Sequence, residues 1–326
     1  MEYRDLVIKN ADGSPREIIK VSRLCFGSLC LGYLQSDLDI EEGAEVIRRA
    51  HGLGVNFIDT AQLYGTYKYI RAAGLGDRLV VSSKTYAHTR GLAEAALGEA
   101  LQELGRDYID IMLLHEQESL QTLEGHGEAL EYLLEQKWRG RVRAVGLSTH
   151  HVSGVLGAAE FNAKHKNKLD VLHPMYNMSG LGIVDGTLKE MEAALLEAKN
   201  SGFFVFCMKA LGGGALYGRA AEALRFVLGK GFIDCVAVGM KSALEVEANV
   251  RFFEAGRFTD DYYADYKKVR KRLHIDDWCS GCGGCAGRCG QGALSLSGGR
   301  AACDAGKCVL CGYCAAACRD FALKII

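Results

Sequence analysis

Eight short apolar runs, each followed by a segment of helical periodicity, constrain this chain more than any other feature. The runs are VSRLCFG (21–27), VNFID (55–59), RLVVSS (78–83), YIDIMLL (108–114), VRAVGLS (142–148), LDVLHP (169–174), FFVFCM (203–208) and DCVAVG (234–239). Their apolar residues fall on both faces, as in strands covered from two sides. Such strands pair in parallel, because each return to the sheet needs a crossover. Helical segments span 41–53, 67–73, 90–105, 123–138, 150–165, 186–201, 219–229 and 242–255. In 90–105, Leu92, Ala96, Leu97, Ala100, Leu101 and Leu104 recur at spacings of three and four and form one apolar face. Eight such units over about 240 residues fit a closed (β/α)8 TIM barrel. A doubly wound open sheet is the alternative α/β architecture. The barrel is expected over 1–260, with 1–20 capping its bottom.

Composition narrows the partners. Lysine and arginine are spread along a chain of net charge −1, which argues against nucleic acid or an anionic membrane. No apolar run reaches the roughly 18 residues of a membrane span, and MEYRDLVIKN lacks a signal-peptide core. A cytoplasmic location is expected. After the last helical pattern, FTDDYYADYKKVRKRLHIDDW is charged and helix-permissive and predicts a linker helix over 261–275.

Residues 276–326 hold nine of the thirteen cysteines. Cys279, Cys282, Cys285 and Cys289 spell C-x2-C-x2-C-x3-C. Cys308, Cys311, Cys314 and Cys318 repeat it, displaced by 29 residues, and Ala293-Leu294 recurs as Ala322-Leu323. In a reducing compartment such density reads as metal ligation rather than disulfides. Zinc modules usually place C-x2-C pairs either side of a longer spacer. Cysteines three apart wrap one corner of a cuboidal cluster, and Gly281, Gly283, Gly284 and Gly312 let backbone N–H groups approach the sulfurs. The segment resembles bacterial two-cluster ferredoxins, in which the fourth cysteine ligates the other cluster. The resemblance implies a small ferredoxin-like α+β domain with two [4Fe–4S] clusters. Cys279, Cys282, Cys285 and Cys318 would hold one, and Cys308, Cys311, Cys314 and Cys289 the other. Gly290 and Arg319 stand where those proteins usually have proline. Cys303 lies outside the repeat and reads as a spare thiol.

Polar residues end three consecutive strands, where barrel enzymes keep their chemistry. Asp59 ends the second and Tyr64 follows it; Lys84 ends the third; His115 ends the fourth. Each alone has a bland explanation as a cap, a packing residue or a solvated charge, so the joint occurrence carries the argument. Together they resemble the Asp-Tyr-Lys-His tetrad of aldo-keto reductases. GVNFIDTAQLYG, YIDIMLLHE, GRVRAVGLS and VGMKSALEVEANV look like that family's signatures over roughly 20–255. The whole arrangement resembles the ferredoxin-fused members. Hydride addition to a carbonyl carbon leaves charge on oxygen that a nearby donor must quench. The resemblance makes Tyr64 that donor. Lys84 would lower the phenol's pKa, Asp59 would hold Lys84, and His115 would orient the carbonyl.

No G-x-G-x-x-G follows a strand, so a Rossmann site is not indicated. Leu211, Gly212 and Gly213 follow strand seven, while Gly239, Met240, Lys241 and Ser242 follow strand eight, the usual phosphate site of barrels. By the family resemblance, Ser148 and His173 hold the nicotinamide amide and Ser28 belongs to the same cofactor site. Met208 replaces a stacking aromatic, and Asn249 is the adenine-side asparagine. Lys241 and Ser242 suit the 2′-phosphate of NADPH, whereas Glu245 could accept from the 2′-hydroxyl of NADH. The balance leans slightly to NADPH. The expected activity is NAD(P)H-dependent reduction of an aldehyde or ketone, with clusters for electron transfer and a ferredoxin or flavoprotein as a possible redox partner. The alternative is an electron-transfer protein whose barrel is a docking body.

Overall fold

The computed structural model describes residues 1–10, 14–165, 168–259 and 271–326. β1 (Tyr3–Lys9) and β2 (Pro15–Ser22) form an antiparallel hairpin. Eight parallel strands follow: β3 (Leu24–Gly27), β4 (Phe57–Asp59), β5 (Val80–Thr85), β6 (Ile109–Leu114), β7 (Val142–Thr149), β8 (Val171–Pro174), β9 (Phe204–Cys207) and β10 (Cys235–Gly239). They neighbour one another in chain order, and β10 pairs back onto β3, closing the barrel and excluding the open sheet.

Alternation along each strand divides the core in two. Cys25, Phe57, Ile111, Leu113, Val171, Phe204 and Phe206 fill the barrel and meet Leu6, Ile8, Ile19 and Val21 of the hairpin, which closes the bottom. Leu24, Ile58, Val81, Met112, Val145 and Val236 pack instead with the apolar faces of the surrounding helices. At strand starts Asp110, Asp170 and Asp234 accept the N–H groups of Val81, Val145 and Val205 on the neighbouring strand. Arg106, Lys137 and Lys199 pair with those carboxylates, so the charges are buried with partners.

The helices are α1 (Ile40–Gly52), α2 (Tyr67–Ala72), α3 (Arg90–Leu104), α4 (Leu120–Gly125), α5 (Gly127–Trp138), α6 (Val152–Lys164), α7 (Leu188–Asn200), α8 (Ala220–Leu228) and α9 (Ala243–Ala255). Thr89 starts α3 by accepting the Leu92 N–H, and Gly105 ends it at φ 66°. Two expectations need correction. The segment 123–138 is two helices that break at His126, where Gly125 and Gly127 weaken the helix. In α3 the buried face is shifted: Leu92 is 49% exposed and Ala93 is fully buried.

Beyond the barrel lie β11 (Leu273–Ile275), α10 (Gly284–Arg288), β12 (Leu294–Ser297), β13 (Arg300–Cys303) and β14 (Leu323–Ile325). β11 pairs with β14, and β12 with β13, both antiparallel. Each sheet thus joins one half of the 29-residue repeat to the other. Of the expected linker helix, 261–270 lies outside the described residues. Leu273–Ile275 is a strand, because its backbone pairs with the chain's last strand.

This module docks on the barrel's C-terminal face. Phe321 packs with Met175 and Met208 at the ends of β8 and β9, and with Leu181. The Arg272 guanidinium donates to the Gln35 carbonyl at 3.0 Å. Gly214 sits at φ +87°, and a Cβ there would lie 2.0 Å from the Ile325 carbonyl oxygen. Among the described residues no helix is long and apolar enough to cross a membrane.

Candidate active site

β4 and β5 are neighbours, with Asp59 opposite Ser82 in register, so Asp59 and Lys84 emerge side by side at the top of the sheet. Lys84 is fully buried and Asp59 nearly so. The Lys84 ammonium donates to Asp59 Oδ2 at 2.7 Å and to the Thr60 carbonyl at 2.7 Å. Burial raises the Asp59 carboxyl, but Lys84 and then His173 outweigh it and hold the group below the usual carboxylate range. Asp59 Oδ1 has no hydrogen-bond partner among the described residues. His173 places Nε2 3.5 Å from Asp59 Oδ2, while Nδ1 lies 2.6 Å from the Phe206 carbonyl.

Tyr64 ends a short 3-10 turn, and Gly65 turns the chain away at φ 62°. The Lys84 ammonium lies 4.8 Å from the centre of its ring. No hydrogen bond joins the Tyr64 hydroxyl to Lys84 among the described residues. Two of the three ammonium protons already serve Asp59 and Thr60. Nor is the phenol made more acidic as expected: burial, then Asp59, pushes it well above its ordinary value. His115 meets Tyr64 edge-on at 5.8 Å and stacks on Tyr86 at 4.3 Å. Burial, then Lys84, pushes its imidazole well below the usual range, so it is neutral, and its Nδ1 has no hydrogen-bond partner among the described residues.

A groove partly open to solvent starts at Asp59, Tyr64 and His173. It passes Met208, Lys209 and Leu211, and runs on to Gly239, Lys241, Glu245 and Lys271. Lys324, Ile325 and Ile326 of the C-terminal module form one wall.

A model of the aldo/keto reductase family matches residues 23–223, more than half of the chain. The chain belongs to the aldo/keto reductase family. Membership makes it an oxidoreductase, in a family that uses NAD(P)H. Solved structures share the fold. An aldo-keto reductase candidate from Pseudomonas aeruginosa is 21% identical, with TM-score 0.63, over 78% of this chain and 94% of its own. The holo form of an aldo-keto reductase from Bacillus halodurans is 20% identical, with TM-score 0.60, over 82% and 96% respectively. No curated protein matches the chain.

Seen as an aldo/keto reductase groove, the cavity brings together some of the sequence-predicted cofactor residues and not others. His173, Met208, Leu211, Gly213, Gly239, Lys241 and Glu245 line it. Ser28 is buried, bonded to the Asp59 carbonyl and to Thr66. Ser148 is buried and accepts the Glu116 N–H. Met240 is core, and Gly212 packs on Leu181 and Leu216. Ser242 caps α9 by accepting the Glu245 N–H, and Asn249 donates back to the Glu245 carbonyl. Gly213 and Gly214, both in the groove lining, also approach the C-terminal segment, Gly213 against Phe321 and Gly214 against Ile325. Lys209, Lys271 and Lys324 line the groove, and sequence reasoning missed all three. Lys209 carried the one signal, a charge between an apolar strand and a glycine run.

Cys285 has Cys318 and Cys279 as charged-state neighbours. A separate cavity is lined by Cys289, Cys308, Cys311 and Cys314. Backbone N–H groups of Ala293, Ala301 and Ala322 donate to the sulfurs of Cys289, Cys279 and Cys318 at 3.4, 3.5 and 3.2 Å. Such donors favour thiolate, and those of Ala293 and Gln291 hold Cys289 below the usual thiol range. Among the described residues no three His, Cys, Asp or Glu side chains are grouped closely enough to hold a single metal ion.

Proposed function

We propose that this aldo/keto reductase reduces an aldehyde or ketone with NAD(P)H through Asp59, Tyr64, Lys84 and His115. The observation that carries the reading is the buried Lys84–Asp59 pair beside the Tyr64 ring, at a groove that also takes in Met208, Leu211, Gly239 and Lys241. Bound nicotinamide supplies the hydride. Tyr64, protonated at neutral pH like any phenol, supplies the proton to the carbonyl oxygen. The phenolate left behind lies beside the Lys84 ammonium, which Asp59 keeps in place. His115, neutral, donates to the same oxygen and orients it. Met208 and His173 wall the nicotinamide end. NADPH is the favoured form: Lys241 and Lys271 stand at the far end, and Glu245 between them is engaged by the Lys241 N–H at 2.8 Å.

In the same reading the C-terminal cysteines hold two [4Fe–4S] clusters, Cys279, Cys282, Cys285 and Cys318 on one, and Cys289, Cys308, Cys311 and Cys314 on the other. The C-x2-C-x2-C-x3-C spacing, repeated after 29 residues, fits clusters better than zinc. Clusters pass single electrons and hydride carries two, so the module serves a redox partner such as a ferredoxin or flavoprotein.

The test is NADPH oxidation over a panel of aldehydes and ketones, by wild type and Tyr64→Phe. Loss of the general acid should lower turnover by about 10²–10⁴-fold with NADPH binding retained. Wild-type rates in the variant would overturn the assignment.

A further inference from the structure

Two lysines flank one aromatic ring at the barrel mouth. The ammonium groups of Lys209 and Lys324 each lie 5.8 Å from the centre of Phe321. Lys209 follows β9 of the barrel, Lys324 lies in β14 of the module, and both line the groove that starts at Asp59 and Tyr64. Their partners differ. Lys324 is bonded to the buried Asp276, which His274 also approaches at 3.1 Å. Lys209 has no carboxylate at salt-bridge distance and no hydrogen bond to its ammonium among the described residues, only the Phe321 face.

Lys209 is also strained. Its φ is 60°, a left-handed conformation that a non-glycine residue holds only where its surroundings impose it. The charged groups acting on it include Lys324, Asp276, Glu116 and Lys84. Lys241, Glu245 and Lys271 line the groove as well. His150, beside Glu116, feels Lys209 and Lys324 too. Glu116 is engaged elsewhere, accepting from the Tyr86 hydroxyl at 2.7 Å and lying 3.7 Å from His150 Nε2. Burial, then Lys324, brings the Lys209 ammonium down to about 7, as befits a cation among cations without a counter-ion.

We propose that Lys209, with Lys324 beside it, forms an anion subsite that selects carbonyl substrates carrying a carboxylate. The inference rests on the reductase reading above and names its substrate class. The carboxylate completes the ion pair that Lys209 lacks, while the Tyr64–His115 side of the mouth receives the carbonyl. The C-terminal module thereby contributes to the substrate pocket, since Lys324 lines the groove.

The probes are 4-carboxybenzaldehyde and benzaldehyde, with full-length wild type, Lys209→Met and Lys209→Arg. The wild type should prefer the acid. In Lys209→Met the ratio of kcat/KM for the acid over benzaldehyde should fall by about 10- to 100-fold, chiefly through KM, with Lys209→Arg restoring most of it. NADPH affinity is read separately by fluorescence. If Lys209→Met weakens NADPH and leaves the aldehyde ratio unchanged, the ammonium serves the cofactor's diphosphate and the proposal falls. Calorimetric titration of both aldehydes reads the subsite without turnover. Lys209-dependent binding of the acid with no NADPH oxidation would sink the reductase reading alone. Equal binding of both aldehydes would sink the subsite alone.

Discussion

Lys84→Met tests the electrostatic centre of the site through stability. The variant keeps much of the side chain's bulk and removes the ammonium from a pair whose side chains are 0% and 7% exposed. Asp59 is left with His173 at 3.5 Å and an Oδ1 that already lacks a hydrogen-bond partner among the described residues. Breaking a buried pair by removing one member costs about 3–5 kcal/mol. Protonation sets a ceiling. Neutralising a carboxyl of ordinary pKa, about 3.9, costs about 4 kcal/mol at pH 7 and about 1.5 kcal/mol at pH 5. In the wild type the folded Asp59 pKa is depressed, so its contribution is complete above the unfolded value and constant across that window. The pH dependence therefore belongs to the variant. Urea unfolding followed by far-ultraviolet circular dichroism should show a loss near 4 kcal/mol at pH 7 that shrinks to about 1.5 kcal/mol at pH 5. Adding Asp59→Asn should recover part of the loss at pH 7. A loss below about 1 kcal/mol at pH 7, or one equal at both pH values, would refute a buried, mutually dependent pair.

Other outcomes follow from the same coordinates. The preference for 4-carboxybenzaldehyde should be present below about 7 and fade as pH rises through that value, because Lys209 loses its proton there; a flat ratio from pH 6 to 9 would count against it. Cys311→Ser should lower iron from about eight to about four atoms per chain, whereas Cys303→Ser should leave it unchanged; metal analysis after anaerobic purification decides. Gly214→Ala should free the C-terminal strand, since its Cβ would meet the Ile325 carbonyl, and hydrogen exchange at Leu323–Ile325 should rise.

Much of the barrel was legible because strands buried on both faces must be apolar on both faces, and all eight runs became strands. The Asp59–Lys84 pairing followed from adjacent strand ends. The protonation of Tyr64 did not, because burial and Asp59 outweigh the ammonium beside it. Ser242 caps α9 by accepting the Glu245 N–H, a role that a serine opening a helix does not by itself announce. The glycine run after β9 also permits close approach of another backbone, here β14, which its sequence alone did not announce. Lys324 and Phe321 were beyond reach. Their contacts with Lys209 and Met208 arise from docking of two parts of the chain, which no local periodicity encodes.

The most direct test of the central claim is the fate of a deuterium label. NADPH carrying deuterium at nicotinamide C4, incubated with wild type and an accepted aldehyde in ordinary water, should leave the label on the carbinol carbon of the alcohol. Alcohol whose carbinol hydrogen comes from solvent would contradict direct hydride transfer in this groove.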